Sequence, residues 1–243
     1  MKVFVVGNGC TWFTRNDTSF IIDDKILLDT PTGSYKDILK HIDIFKLEAI
    51  IISHFHADHF GDFRIFATRF MRESEYQGRT QKLKVFGPVG ILDKLIAHNT
   101  LMCGSEDERD KNNLKKHIEF VELVDGDEFD VLGYHVQALS VDHGKVPCLA
   151  FLFTDENNKK IAFSGDTKEC DALIDILKKS DVAFVDMAAT ELSRSHLDTE
   201  SFVRLQEKYI NCKMFPIHMS DGSLMFAKEN GLHVLNDFDE IIF

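Results

Sequence analysis

The sequence predicts an α/β protein. Two mixed sheets lie face to face with helices outside, or the same elements build one doubly wound sheet. Three observations predict that class. Each half of the chain opens with consecutive strand-like runs and then alternates strands with segments of helical periodicity. Short apolar runs such as Ala49–Ser53 have the character of buried strands. An apolar fraction of 44% with only 4 prolines in 243 residues is globular, and the length suits a single domain over 1–243.

The elements follow in order. Val3–Val6 is a strand that stops at Gly7-Asn8-Gly9. Ser19–Ile22 and Lys25–Leu28 form a hairpin, with Asp23-Asp24 in its turn. Tyr35–Ile42 is a helix with Ser34 as its cap. After the strand Ala49–Ser53 and a histidine-rich loop, Asp62–Glu73 places Phe63, Phe66, Ala67 and Phe70 at helical spacing. Leu83–Phe86 is a strand ending in Gly87-Pro88, and Ile91–Leu101 is an amphipathic helix. Ser105–Lys116 is charged and polar, and reads as an exposed connection and midpoint boundary. Strands then fall near Ile118–Leu123, Glu128–Leu132, Tyr134–Ser140, Cys148–Phe153 and Lys160–Ser164. Helix Cys170–Lys179, strand Val182–Asp186, helix Thr199–Tyr209, strand Cys212–Ile217 and helix Leu224–Glu229 complete the pattern.

Charge and cysteine usage exclude several roles. A formal net charge of −12 argues against a coat for duplex DNA or RNA, which needs a basic footprint. It leaves a small anionic substrate open, because a bound metal reverses the sign locally. No apolar run approaches the roughly 18 residues of a membrane span, and the N-terminal run is too short for a signal-peptide core. The 5 cysteines are scattered, without a Cys-x-x-Cys, which favours unpaired thiols in the cytoplasm.

The chemistry concentrates in Ser53-His54-Phe55-His56-Ala57-Asp58-His59-Phe60-Gly61-Asp62. In an extended chain, His54 and His56 point to one side, because side chains alternate with period two. A turn into a helix then projects Asp58 and His59 from a second position. Two groups of ligands serve two adjacent ions, and imidazole with carboxylate suits zinc, manganese or iron. His143, Asp166 and His218 each follow a strand, where α/β folds collect functional groups. Phe55, Phe60 and Phe63 flank this loop and could wall a pocket, but phenylalanine at such spacing is more often core, which is the expectation here. From Arg64 to Lys84 the chain carries six bases and two acids, mostly a solvated helix face and turn that could also meet substrate phosphates.

His-x-His-x-Asp-His followed by a later His, an Asp and a final His resembles the metallo-β-lactamase fold superfamily. The resemblance covers nearly the whole chain, including Gly7-Asn8-Gly9 and Leu27-Leu28-Asp29. It implies an αββα sandwich. It implies that His54, His56 and His143 bind one divalent metal, that Asp58, His59 and His218 bind a second, and that Asp166 bridges them. Val85–Gly90, Ser164-Gly165-Asp166-Thr167 and Ser195-His196-Leu197-Asp198-Thr199 are most similar to the ribonuclease Z and phosphodiesterase branch. In that branch, His196 would serve as proton donor or oxyanion stabiliser, with Thr190 and Glu191 echoing the segment that orients it. Asp58 would orient the attacking hydroxide, and Asp29 is a candidate for fixing an imidazole tautomer.

Only 23 positions separate His143 from Asp166, so the tRNA-gripping arm of ribonuclease Z has no room there. The resemblance therefore implies a metal-dependent phosphodiesterase acting on a small or short nucleotide phosphodiester rather than a large structured RNA. Family members often dimerise, but no interface is legible. Two rivals remain: a hydrolase of lactones, thioesters or β-lactams on the same metals, and a non-catalytic metal- or partner-binding protein.

Overall fold

The protein is described from a computed structural model, which describes residues 1–11, 13–103 and 108–243. Its strands divide into two sheets, so the doubly wound alternative is excluded. The first sheet contains β1 (Lys2–Gly7), β2 (Ser19–Ile22), β3 (Ile26–Leu28), β4 (Ala49–Ile51), β5 (Leu83–Pro88), β6 (Ile118–Leu123) and β13 (Glu240–Ile242), in the order β13-β1-β2-β3-β4-β5-β6. The second contains β7 (Glu128–Val131), β8 (Tyr134–His143), β9 (Val146–Thr154), β10 (Lys160–Phe163), β11 (Val182–Asp186) and β12 (Lys213–Ile217), in the order β12-β11-β10-β9-β8-β7.

Strand alternation explains the layers. Val3 and Val5 of β1 face the second sheet, whereas Phe4 and Val6 face helices. Ile161 and Phe163 of β10 and Val182 and Phe184 of β11 face inward; Ala162, Ala183 and Val185 face the opposite helices. Between the sheets Phe163 stacks on Phe184, with ring centroids 4.7 Å apart. The outer faces are covered by α1 (Ser34–His41), α3 (Phe63–Gln77), α4 (Ile91–Cys103) and α5 (Glu108–His117) on one side. On the other lie α6 (Asp171–Lys179), α7 (Thr199–Lys208) and α8 (Asp221–Glu229). A four-residue turn, α2 (Ala57–Phe60), precedes α3. The architecture is the expected αββα sandwich.

Several local expectations change. Ser34 is not the cap of α1; Gly33 holds that position, and the Ser34 hydroxyl donates to the Pro31 carbonyl at 2.7 Å. The polar stretch after α4 is not an open connection. Residues 105–107 lie outside the described residues, but Glu108–His117 is a helix that seats Leu114 in the core, a single apolar contact too sparse to register as periodicity. β8 and β9 extend to His143 and Val146, so His143 is the last residue of its strand rather than part of a following loop. The short β13 pairs with β1 and has no sequence signal of its own. Phe60 and Phe63 are in the core as expected. Of the basic run, Arg69 pairs with Glu73, Arg79 donates to the Phe45 carbonyl, and Lys82 donates to the Lys115 carbonyl.

Among the described residues, no helix is long and apolar enough to cross a membrane, and Cys10, Cys148, Cys170 and Cys212 are unpaired.

Among the hydrogen bonds that join the two sheets, the Tyr134 hydroxyl at the start of β8 donates to Asp23 in the β2–β3 turn. Burial, then Asp23, raises the phenol above its ordinary value. A raised acid contributes stability in full below its unfolded value of 10.0 and loses it as pH rises through the folded value. Tyr134→Phe should therefore lower unfolding free energy by about 1 kcal/mol at neutral pH. In urea titrations the difference from wild type should shrink above pH 10.

Candidate metal centre

The site forms at one end of the sandwich, beyond the C-terminal ends of β3, β4, β8, β10, β11 and β12. β4 stops at Ile51, and the next residues run as a loop into α2. The chain leaving β3 clamps this loop: Thr30 N–H donates to the His59 carbonyl at 2.7 Å, and Thr32 N–H to that of Ala57 at 3.1 Å. The clamp is close enough to require Gly61, since a Cβ there would stand 2.0 Å from Thr32 Oγ1. Asp166 is delivered by a similar constraint. Gly165 has φ of +57°, and a Cβ on it would meet the Leu149 carbonyl at 2.7 Å. His218 itself adopts φ of +55°, a costly conformation for a non-glycine residue, and its N–H donates to Thr18 Oγ1 at 3.1 Å.

These turns bring together all seven sequence-predicted ligands. His54, His56, His143 and Asp166 form one group whose potential ligand atoms lie within 4.8 Å of one another; Asp58, His59 and His218 form another. Asp166 lies at the centre. Its carboxylate is 3.2 Å from His218 Nε2, 3.3 Å from His59 Nε2, 3.7 Å from His54 Nε2 and 3.8 Å from His143 Nε2. Asp58 Oδ2 is 3.8 Å from His218 Nε2 and 4.0 Å from His59 Nε2. All but His56 are buried.

The expected partner of an imidazole, Asp29, occupies that role, and through it Ser53 acquires one. Asp29 has φ of +57°, which aspartate tolerates. Its Oδ1 accepts from Ser53 N–H at 2.7 Å. Its Oδ2 accepts from the Ser53 hydroxyl at 2.7 Å and from His59 Nδ1 at 2.7 Å. Because the Ser53 proton goes to Asp29, His54 Nδ1 is the donor in its 3.1 Å contact with Ser53 Oγ. His143 Nδ1 donates to the Ser195 carbonyl at 3.0 Å. One carboxylate, one hydroxyl and one carbonyl thus fix three rings with Nε2 lone pairs free.

Those lone pairs test whether the residues fit metal ions. His54 Nε2 and His59 Nε2 are buried without a hydrogen-bond partner, and His143 Nε2 stands 3.3 Å from His56 Nδ1. Unpartnered buried acceptors converging on carboxylates need cations. The donor set of imidazoles and carboxylates fits a divalent ion such as zinc. Without an ion the cluster supplies its own cation: burial opposes it, but Asp166 and Asp29 raise His59 well above its ordinary value. Burial, then the like charge of His59, pushes His54 well below its ordinary value. Burial opposes ionisation of Asp166, but His218, His59 and His54 outweigh it and hold the carboxyl well below the usual range. Asp29→Asn, which removes the charged acceptor behind His59, should weaken metal affinity by about 10–100-fold in chelator competition.

His196 stands at the edge of the cluster. Its ring centroid is 4.9 Å from that of His143 and 5.4 Å from that of His218. Its Nδ1 donates to Asp186 Oδ2 at 2.8 Å. Burial lowers its pKa, but the Asp186 hydrogen bond and charge outweigh it and lift it to about 9. Asp186, fully buried, also accepts from Thr167 N–H at 2.9 Å and Ala188 N–H at 2.8 Å. Sequence reasoning placed Thr190 and Glu191 behind His196; this is corrected, because both side chains are exposed and Asp186 holds the ring. A signal existed: Asp186 ends a wholly apolar strand, the rule that located Asp166 and His218.

A family model described as a beta-lactamase superfamily domain matches residues 25–219. The chain is 28% identical to a ribonuclease Z from Myxococcus xanthus over 134 residues, 55% of this chain but only 39% of that protein. The chain thus matches less than half of that relative's length. Two solved structures share the fold across both chains. The metallo-beta-lactamase fold protein YhfI from Bacillus subtilis superposes with a TM-score of 0.76 at 16% identity, covering 99% of this chain and 98% of its own. Human tRNase Z, short form, gives 0.74 at 18%, covering 100% and 99%.

Proposed function

The chain belongs to the beta-lactamase superfamily, and from that premise we propose that it is a metal-dependent hydrolase, with two divalent ions, that cleaves small or single-stranded phosphodiesters. Residues 1–243 act as one domain. His54, His56 and His143 hold the first ion, Asp58, His59 and His218 the second, and Asp166 both; zinc suits this set, which manganese and iron share. When bound, such ions acidify water into a nucleophile near neutral pH and neutralise phosphate oxygens. Asp58 orients the attacking water by accepting its hydrogen bond. His196 gives its proton to the leaving oxygen, while Asp186 keeps the Nδ1 proton in place.

The His196–Asp186 pair beside the cluster carries this reading. A cationic donor at that place suits a departing alkoxide and a phosphate-centred transition state; for lactones or β-lactams the pair would have no special role. The ribonuclease Z relative supports phosphodiester chemistry. A net charge of −12, and the fact that only β9, β10 and their turns connect His143 to Asp166, favour small substrates over large structured RNA. The unpaired thiols support a cytoplasmic setting. Metal analysis of purified protein should find two ions per chain. On that protein, bis-p-nitrophenyl phosphate or a cyclic nucleotide should turn over. A lactone and a cephalosporin should not, and turnover of these alone would sink the phosphodiesterase reading.

A further inference from the structure

Beside His56 the surface opens into a cavity of about 530 Å³ that also touches Cys148. Its walls are apolar, with Phe55, Pro88, Val89, Val124, Val146 and Pro147 among them. Val89 and Val124 remain 60% and 52% exposed there. Concave apolar surface of this size, within the roughly 300–1,000 Å³ of small-molecule sites, is a binding feature rather than packing. Lys94, Lys145 and Asp125, all exposed, also line it. Phe55, half-buried against the core, lines both this cavity and a second of about 490 Å³, which also shares Lys94.

The cavity has a defined position relative to the chemistry. His56 lines it, and the His56 ring is 5.0 Å from that of His143. His196 contacts His143 and His218 and is not among the residues lining the cavity. The cavity and His196 therefore adjoin the cluster through different residues, the cavity through His56 and His196 through His143 and His218. The leaving group belongs to the His196 side.

Resting on the phosphodiesterase reading, we propose that the cavity beside His56 receives the substituent that stays on phosphorus, and that this substituent is a nucleobase or a similarly flat, uncharged ring. Phe55, Pro88 and Pro147 offer flat faces to such a ring, and the lysine ammonium groups donate to its carbonyl edge. A methyl substituent would leave the walls wet and gain nothing from them.

The test uses two esters with the same leaving group on the metal-loaded full chain: thymidine 5′-(p-nitrophenyl phosphate) and methyl p-nitrophenyl phosphate. The thymidine ester should have a kcat/KM at least about tenfold higher, through KM. Val89→Asp and Val124→Asp, both at exposed wall positions, should remove that advantage by raising KM, with metal content and circular dichroism unchanged. Equal kcat/KM for the two esters, or an advantage that both variants keep, overturns the subsite and leaves the phosphodiesterase reading standing. Cleavage of neither ester overturns that reading. Calorimetry with thymidine 5′-monophosphate then decides the subsite by itself. Binding that weakens at least about tenfold in Val89→Asp supports it; binding that is absent or unchanged overturns it.

Discussion

Asp166→Ala should deprive the protein of both proposed ions and of measurable hydrolysis. Among the described residues, the carboxylate is the one group within 3.8 Å of an Nε2 on each of His54, His59, His143 and His218. Removing it leaves four buried imidazoles facing one another with no shared anion, so neither ion keeps its full set. The loss should exceed the roughly 100-fold that removing an outer partner costs. Elemental analysis checks the first part, with well under two ions per chain expected, and initial rates check the second. Asp166→Asn preserves the volume and one oxygen, so it separates loss of charge from collapse of the site. It should also fail to retain two ions. Wild-type metal content in both variants would remove Asp166 from the centre.

His196→Ala should lower turnover by about two to four orders of magnitude while metal content stays at the wild-type value. The hydrogen bonds that fix the rings of His54, His59 and His143 do not involve His196, so the cluster survives its removal. The defect should depend on the leaving group. A nucleotide diester that expels a basic alkoxide needs the proton and should show the full loss. A p-nitrophenyl ester expels a stable anion and should be much less affected. An equal loss on both would make His196 a stabiliser of phosphate charge instead of an acid. Asp186→Asn should follow the same pattern at about 10–100-fold, because its amide oxygen cannot replace a carboxylate that accepts from Thr167, Ala188 and His196 together.

Much of the centre was legible because its candidate ligands sit where sequence and geometry are coupled. His54, His56, Asp58 and His59 fall within six positions, and a strand end followed by a helical turn leaves few ways to arrange them. Asp166 and His218 each follow a short apolar strand, so their placement at one end of the sheet follows from strand polarity. The helix Glu108–His117 was illegible because its one described core contact, Leu114, cannot establish a period. The edge strand β13 was illegible because its three residues are stabilised by pairing with β1, at the opposite end of the chain.

What the sequence carried by itself, then, was the α/β class and the positions of the candidate ligands, since periodicity and strand-end position are local properties of the chain; the face-to-face sheets and the assignment of each ligand came from the family resemblance. Tertiary structure decided how the protons are held. Asp29 reaches His59 across 30 positions, and Asp186, not Glu191, reaches His196. It also decided that Phe55, half-buried against the core, lines two cavities. A hydrogen-bond partner or a cavity wall depends on which turns pack together, and no spacing within one segment encodes that.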